Sequence, residues 1–264
     1  MKRLAIIAAI LVFPVLVMGQ MKKFEYTPKV KGKVEIYNLL GEVSLQNTTG
    51  GSIIIESDFN VNRPKRAEGL KLLGSVEDNS EIGVNVSEEN GVVNIQGVSN
   101  QVRDYKYKIQ VPAGMAVLLD YNSPFANSDL VIDSFTGSLE IKTLSAGVKI
   151  TNTSGPLTVN SVSGDVEISL NKINQDGPIS LATVSGFIDI AVPAAEKATF
   201  EINTVTGNVY NNLDLKSVPA KEKDERASGM EHIKYYGKNS FNLNGGGQKV
   251  YLKAISGDIY LRKR

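Results

Sequence analysis

The sequence predicts an all-β protein built as a β-solenoid, with a sandwich or barrel as the alternative architecture. Three observations predict it. A short phrase ending in alternating apolar residues recurs along the chain. Its glycines fall about every nine or ten residues, the spacing of short strands joined by tight turns. The composition has 24 Gly and no Trp, with many Val, Ile, Ser, Thr and Asn, which are strand and turn residues.

The chain opens with the three-part layout of a secretory signal peptide. Met1-Lys2-Arg3 is basic, Leu4 to Val17 is apolar apart from Pro14, and Val17-Met18-Gly19 precedes a cleavage point before Gln20. The apolar run is shorter than the roughly 20 residues of a spanning helix. Residues 1–19 are therefore expected to be removed, leaving 20–264 as one exported domain without a transmembrane segment. The chain has no cysteine, so it carries neither disulfides, thiolate metal sites nor a lipid on cysteine. Without Lys2 and Arg3 the 29 basic residues fall to 27, against 28 acidic ones. That balance argues against a nucleic-acid or anionic-membrane partner.

Early strands are expected after Gly41, Gly51 and Gly91, in Glu42-Val43-Ser44-Leu45, Ser52-Ile53-Ile54-Ile55 and Val92-Val93-Asn94-Ile95. Arg63 to Leu73 reads as a helical turn or loop. Tyr105 to Val111 reads as a strand, and Pro112-Ala113-Gly114 as the turn that follows.

The repeat then dominates. Its copies are Phe135-Thr136-Gly137-Ser138-Leu139-Glu140-Ile141, Val162-Ser163-Gly164-Asp165-Val166-Glu167-Ile168, Val184-Ser185-Gly186-Phe187-Ile188-Asp189-Ile190, Val205-Thr206-Gly207-Asn208-Val209-Tyr210 and Ile255-Ser256-Gly257-Asp258-Ile259-Tyr260-Leu261. Weaker copies begin at Ala146, Ser154 and Asp176. The alternation after Gly is a strand with one buried face. Gly permits a positive φ at the turn, and the neighbouring Ser or Thr can hydrogen-bond the turn backbone. Near-identical phrases suit a solenoid, where every coil meets the same surroundings. Two phrases, about 20 residues, make one coil, and the step from Gly186 to Gly207 matches that length. Lys216 to Lys238 is rich in charge, carries Pro219 and reads as a solvated insertion outside the stack.

These phrases, the signal peptide and the length together resemble the DUF4097 family, exported bacterial proteins of adhesin-like β-strand-repeat type with an auto-transporter-adhesin-like label. The resemblance spans Lys33 to Arg264 and is strongest from Phe135 to Ile190 and from Ile255 to Leu261. It implies a right-handed, single-stranded β-helix and an envelope or surface location in a Bacteroidetes-type bacterium. It brings no catalytic motif.

No catalytic, cofactor-binding or metal-ligating residue is assigned from the sequence, and no cofactor is expected. The only histidine, His232, sits in the charged insertion without the rigid frame a catalytic base needs. The outward positions of successive phrases are Glu140, Thr158, Glu167, Ser180 and Asp189. Glu167 and Asp189 fall one coil apart, a possible acidic pair for glycoside hydrolysis. Asp165 and Asp258 read as turn residues rather than calcium ligands, and Gly245-Gly246-Gly247 is followed by Gln248-Lys249, not by an acidic ligand. Tyr105 and Tyr107 share one strand face, and with Tyr235, Tyr236, Tyr251 and Tyr260 they are candidates for an aromatic strip. The expectation is an exported interaction or structural protein of the periplasm, cell surface or medium, without catalysis, whose partner is an envelope protein or polysaccharide. A carbohydrate-active β-helix enzyme, or an accessory to envelope signalling, is the alternative.

Overall fold

The computed structural model describes residues 21–60, 65–68, 70, 76–98, 105–126, 128–218 and 239–264. The signal-peptide segment, His232, Tyr235, Tyr236 and residues 219–238 of the insertion lie outside them. The described chain forms strands β1 (Lys22–Tyr26), β2 (Lys33–Tyr37), β3 (Glu42–Thr48), β4 (Ile53–Ser57), β5 (Val84–Glu89), β6 (Val92–Gly97) and β7 (Lys106–Pro112). It continues through β8 (Ala116–Tyr121), β9 (Leu130–Asp133), β10 (Leu139–Thr143), β11 (Val148–Thr153), β12 (Leu157–Ser161), β13 (Val166–Leu170) and β14 (Ile179–Thr183). It ends with β15 (Ile188–Val192), β16 (Ala198–Thr204), β17 (Val209–Asn211), β18 (Leu215–Ser217), β19 (Asn239–Leu243), β20 (Gln248–Ala254) and β21 (Ile259–Lys263). Within the expected helical turn or loop at Arg63 to Leu73, the described residues carry a 3-10 turn at Lys65–Ala67, and residues 63–64, 69 and 71–73 lie outside them. The insertion begins differently from expectation: Lys216 and Ser217 lie in β18, which pairs with β19, because Leu215 aligns with buried Leu243.

Two parallel-rich sheets face each other, and neither closes into a barrel. Sheet I runs β1-β4-β7-β3-β9-β11-β13-β15-β21-β17, and sheet II runs β18-β19-β16-β20-β14-β12-β10-β8-β2-β6-β5. From β8 to β15 the chain alternates between sheets, and each strand pairs in parallel with the strand two places later. The cause is the two-residue alternation. Val148, Val166, Ile188 and Ile259 form one inward column of sheet I, and Ile150, Ile168, Ile190 and Leu261 form the next. Leu139, Leu157, Ile179 and Val250 face them from sheet II. All twelve are buried. Each such side chain contributes about 1.5–3 kcal/mol when taken out of water.

The coil order departs from the sequence order at both ends. β2 and β3 sit between β6–β7 and β8–β9. β20 and β21 sit between β14–β15 and β16–β17. Each end of the chain thus supplies a coil to the inside of the stack. The step from Gly186 to Gly207 is one coil of sequence but two coils of space, because Gly257 lies between them. Antiparallel strands flank the stack: β4 and β1 beyond β7, β5 beyond β6, and β19 and β18 beyond β16.

Tyr121, at the end of β8, is buried, and its hydroxyl donates to the Gly41 carbonyl at the entry to β3. Burial pushes its phenol up to about 12, against an ordinary value of about 10. Burial raises Tyr107 as well. The folded state holds these protons more tightly than the unfolded chain does. Their contribution is therefore complete below pH about 10 and lost as the pH climbs towards Tyr121's folded value. Alkaline unfolding in that window, followed together by circular dichroism and phenolate absorbance, is the expected result. Ionisation of every tyrosine near pH 10 with the fold intact would contradict it.

Candidate functional site

The repeated phrase builds one long corner, where sheet II hands over to sheet I. Four of the five strong copies lie there: Val162-Ser163-Gly164, Val184-Ser185-Gly186, Ile255-Ser256-Gly257 and Val205-Thr206-Gly207, in that spatial order. Phe135-Thr136-Gly137 occupies the opposite corner, between β9 and β10, and its Phe135 is fully buried. One phrase therefore serves two environments.

The glycines at the long corner do not serve the purpose expected of them. Gly164, Gly186, Gly207 and Gly257 lack positive φ, unlike Gly137. What excludes a side chain is the neighbouring coil. A Cβ on Gly257 would lie 1.8 Å from the Gly186 carbonyl oxygen, and one on Gly207 would lie 2.0 Å from that of Gly257. Turn backbones stack so closely that only hydrogen fits.

The hydroxyls that tie the turn also differ from those expected. The residue three places before the glycine does most of this. Gly186 N–H donates to Thr183 Oγ1 and Gly207 N–H to Thr204 Oγ1, both at 3.1 Å, while Ser161 Oγ donates to the Gly164 carbonyl at 2.8 Å. Thr143 does the same at Ala146. Ser161, Thr183 and Thr204 stand one residue upstream of their phrases, Ala254 takes that place before Ile255, and Thr143, Ser161 and Thr183 are buried.

The first residue of the phrase, apolar in every copy, points outward at this corner. Val162, Val184, Ile255 and Val205 are 40%, 39%, 38% and 66% exposed. With half-buried Leu144 they make a stripe along the stack. Beside it runs a second exposed row, Ser145, Ser163, Ser185, Ser256 and Thr206. Backbone groups at the corner pair from coil to coil. Ser163 N–H donates to Leu144 O, Ser185 to Val162 O, Ser256 to Val184 O and Thr206 to Ile255 O. Ser145, Ser163, Ser185 and Ser256 make no side-chain hydrogen bond among the described residues.

Glu167 and Asp189 are neighbours in register on the outer face of sheet I, as their spacing predicts. Arg262 Nε holds both Asp189 oxygens at 2.8 Å, and Lys149 stands beside Glu167 in the ladder. They line a groove of about 220 Å³ with Thr151, Ser169 and Ala191. Both Asp189 oxygens are thus taken up by a charge-assisted contact with the guanidinium. Asp165 caps Phe187 N–H at 3.1 Å, and Asp258 caps Asn208 N–H at 2.8 Å, each on the next coil.

The aromatic strip is rearranged. Tyr107 faces the core, because it alternates with Ile109 and Val111, and Tyr105 packs on Phe59 at 4.7 Å. Tyr260 instead stacks on Tyr210, with centroids 5.3 Å apart, and meets Phe187 edge-on. Tyr251, on the outer face of sheet II, lies under Lys249. A separate polar cleft of about 430 Å³, lined by Glu35, Tyr37, Asn38, Asp120, Asn122 and Ser123, opens beside β2 and β8. Nothing local in the sequence signals it, since it requires β2 to be seated against a strand some 80 residues away.

Among solved structures, a candidate cell adhesion protein of Clostridium sporogenes covers 93% of this chain and 100% of its own, at 12% identity and a TM-score of 0.47. A candidate adhesin of Bacteroides fragilis covers 92% and 97%, at 11% identity and a TM-score of 0.30. A candidate adhesin of Parabacteroides distasonis covers 92% and 98%, at 8% identity and a TM-score of 0.30. No curated protein matches the chain. The family profile described as Toastrack DUF4097 matches residues 83–262, well over half of the sequence and including every strong copy of the phrase, so the chain belongs to the Toastrack DUF4097 family.

Proposed function

We propose that this chain is an exported, non-catalytic interaction protein that holds an envelope polysaccharide or protein along its long corner. The observation that carries this reading is the exposed apolar stripe. Val162, Val184, Ile255 and Val205 come from separate coils and align in the open, where a core-forming repeat has no use for them. A rigid stack repeats one contact at a fixed spacing, and repeated weak contacts add up in a way that a single exposed valine does not.

The remaining parts of the reading fit this role. The basic-apolar start directs export. The coils wind as a right-handed single-stranded β-helix, the hand that parallel strand-to-strand crossovers favour, with one coil at each end contributed out of sequence. The near-neutral mature charge disfavours nucleic acid. Among the described residues no helix is long and apolar enough to cross a membrane.

The test uses envelope fractions of the native host. The tagged full chain is expected to retain a partner, and Val162→Asp with Val184→Asp to lower retention at least tenfold without moving the melting temperature. Incubation with a panel of polysaccharides is expected to release no new reducing ends or unsaturated products. Turnover abolished by Glu167→Gln would establish the enzymatic alternative instead.

A further inference from the structure

We infer that the occupant of the corner stripe is an extended, uncharged, β-linked polysaccharide lying along the stack axis. This rests on the interaction reading above and names its ligand. The N–H groups of Ser163, Ser185, Ser256 and Thr206 and the carbonyls of Leu144, Val162, Val184 and Ile255 already pair between coils, so the corner offers no open strand edge to a peptide. Recognition is left to side chains, and the stripe carries no charge. Lys142 and Lys253 flank it on the sheet II side, and Asp165 and Asp258 flank it on the other, so neither polyanion nor polycation is favoured.

Each coil presents one branched apolar group beside one hydroxyl, Val162 with Ser163, Val184 with Ser185, Ile255 with Ser256 and Val205 with Thr206. Coils follow at the strand spacing of about 4.8 Å, so the stripe from Leu144 to Val205 is about 19 Å long. An extended β-linked glycan offers the complementary pattern. Each sugar has an apolar C–H face and a hydroxyl rim, and successive residues advance by a distance close to the strand spacing. Methyl groups cover the C–H faces, and the hydroxyls of Ser163, Ser185 and Ser256 are left to bond the rim. A one-residue-wide stripe is too narrow to hold a lipid surface.

The continuity of the stripe depends on the threaded coil. Ile255 and Ser256 arrive from the C-terminal end and fill the gap between Val184 and Val205. Without them two short patches would remain.

Co-sedimentation of the full chain with microcrystalline cellulose and with chitin tests the inference. Competition is measured with soluble oligomers of the same sugars, from trimer to hexamer. The expected result is retention that persists in high salt, competition that strengthens with oligomer length, and at least a tenfold loss in Val184→Asp. Ser185→Ala is expected to weaken binding several-fold, and Val184→Thr, which keeps the branched shape, to retain most of it. Failure to bind either glycan, or binding unaffected by Val184→Asp, overturns the inference. If envelope retention still depends on Val162 and Val184 in that case, the ligand is a protein. The interaction reading then stands while this inference falls.

Discussion

Deleting Gln248–Arg264 is expected to abolish folding rather than to shorten the stack. In a solenoid whose coils follow sequence order, removing the last coil exposes one new end and leaves the rest intact. Here the last coil lies inside. β20 pairs with β14 on one side and β16 on the other, and β21 does the same with β15 and β17. The deletion removes Val250, Leu252, Ile259 and Leu261, all buried. At about 1.5–3 kcal/mol each, the loss is about 6–12 kcal/mol. That matches the whole stability of a typical domain, about 5–15 kcal/mol. It also strips both flanking coils of hydrogen-bonded partners. Circular dichroism and limited proteolysis are the measurements. A truncated chain with a cooperative melt and native strand content would show that β16 and β17 can close on β14 and β15, and would refute the expectation.

Gly257→Ala should be the most damaging single methyl group in the chain. The new Cβ would lie 1.8 Å from the Gly186 carbonyl oxygen, a backbone atom of the turn on the neighbouring coil. No rotamer change relieves such a contact, so the coils must separate locally. Val184, Ser256 and Thr206 hold those coils by turn hydrogen bonds that would lengthen together. A loss of about 3–5 kcal/mol is expected, in the range of severe strain, or a fall in melting temperature of about 10 °C. Gly51→Ala is the control. That glycine has ordinary φ and nothing within 4 Å of the new methyl, so it should change little. Equal melting temperatures for the two variants would mean that the turns have room to spare.

The acidic pair shows where sequence reasoning succeeds and where it stops. The length of one coil places Glu167 and Asp189 as neighbours, because strand alternation and coil length are local properties. The partner of Asp189 was not legible. Arg262 is 73 residues away, and it reaches Asp189 only because β21 is threaded beside β15. The tyrosines follow the same division. Tyr107 was placed on one face with Tyr105, but which face is inward depends on the strands beneath it. Tyr210 and Tyr260 come from different phrases and meet only through the threaded order.

The sequence by itself determined the repeat, the strand alternation and the inward columns. All of these arise within about 20 residues, where apolar period and turn chemistry decide. It also placed an apolar residue at the head of every phrase; four of these, Val162, Val184, Val205 and Ile255, became the exposed stripe, while Phe135 is buried. The tertiary structure alone decided which coil lies beside which. Near-identical phrases make many coil pairings almost equal in local energy, so no phrase can encode its neighbour. The order is settled by the parts that do not repeat. The strands β18 and β19 pair antiparallel beside β16, and the chain must return from them to fill the open place between β14 and β16. That return turns four separate apolar residues into one continuous surface.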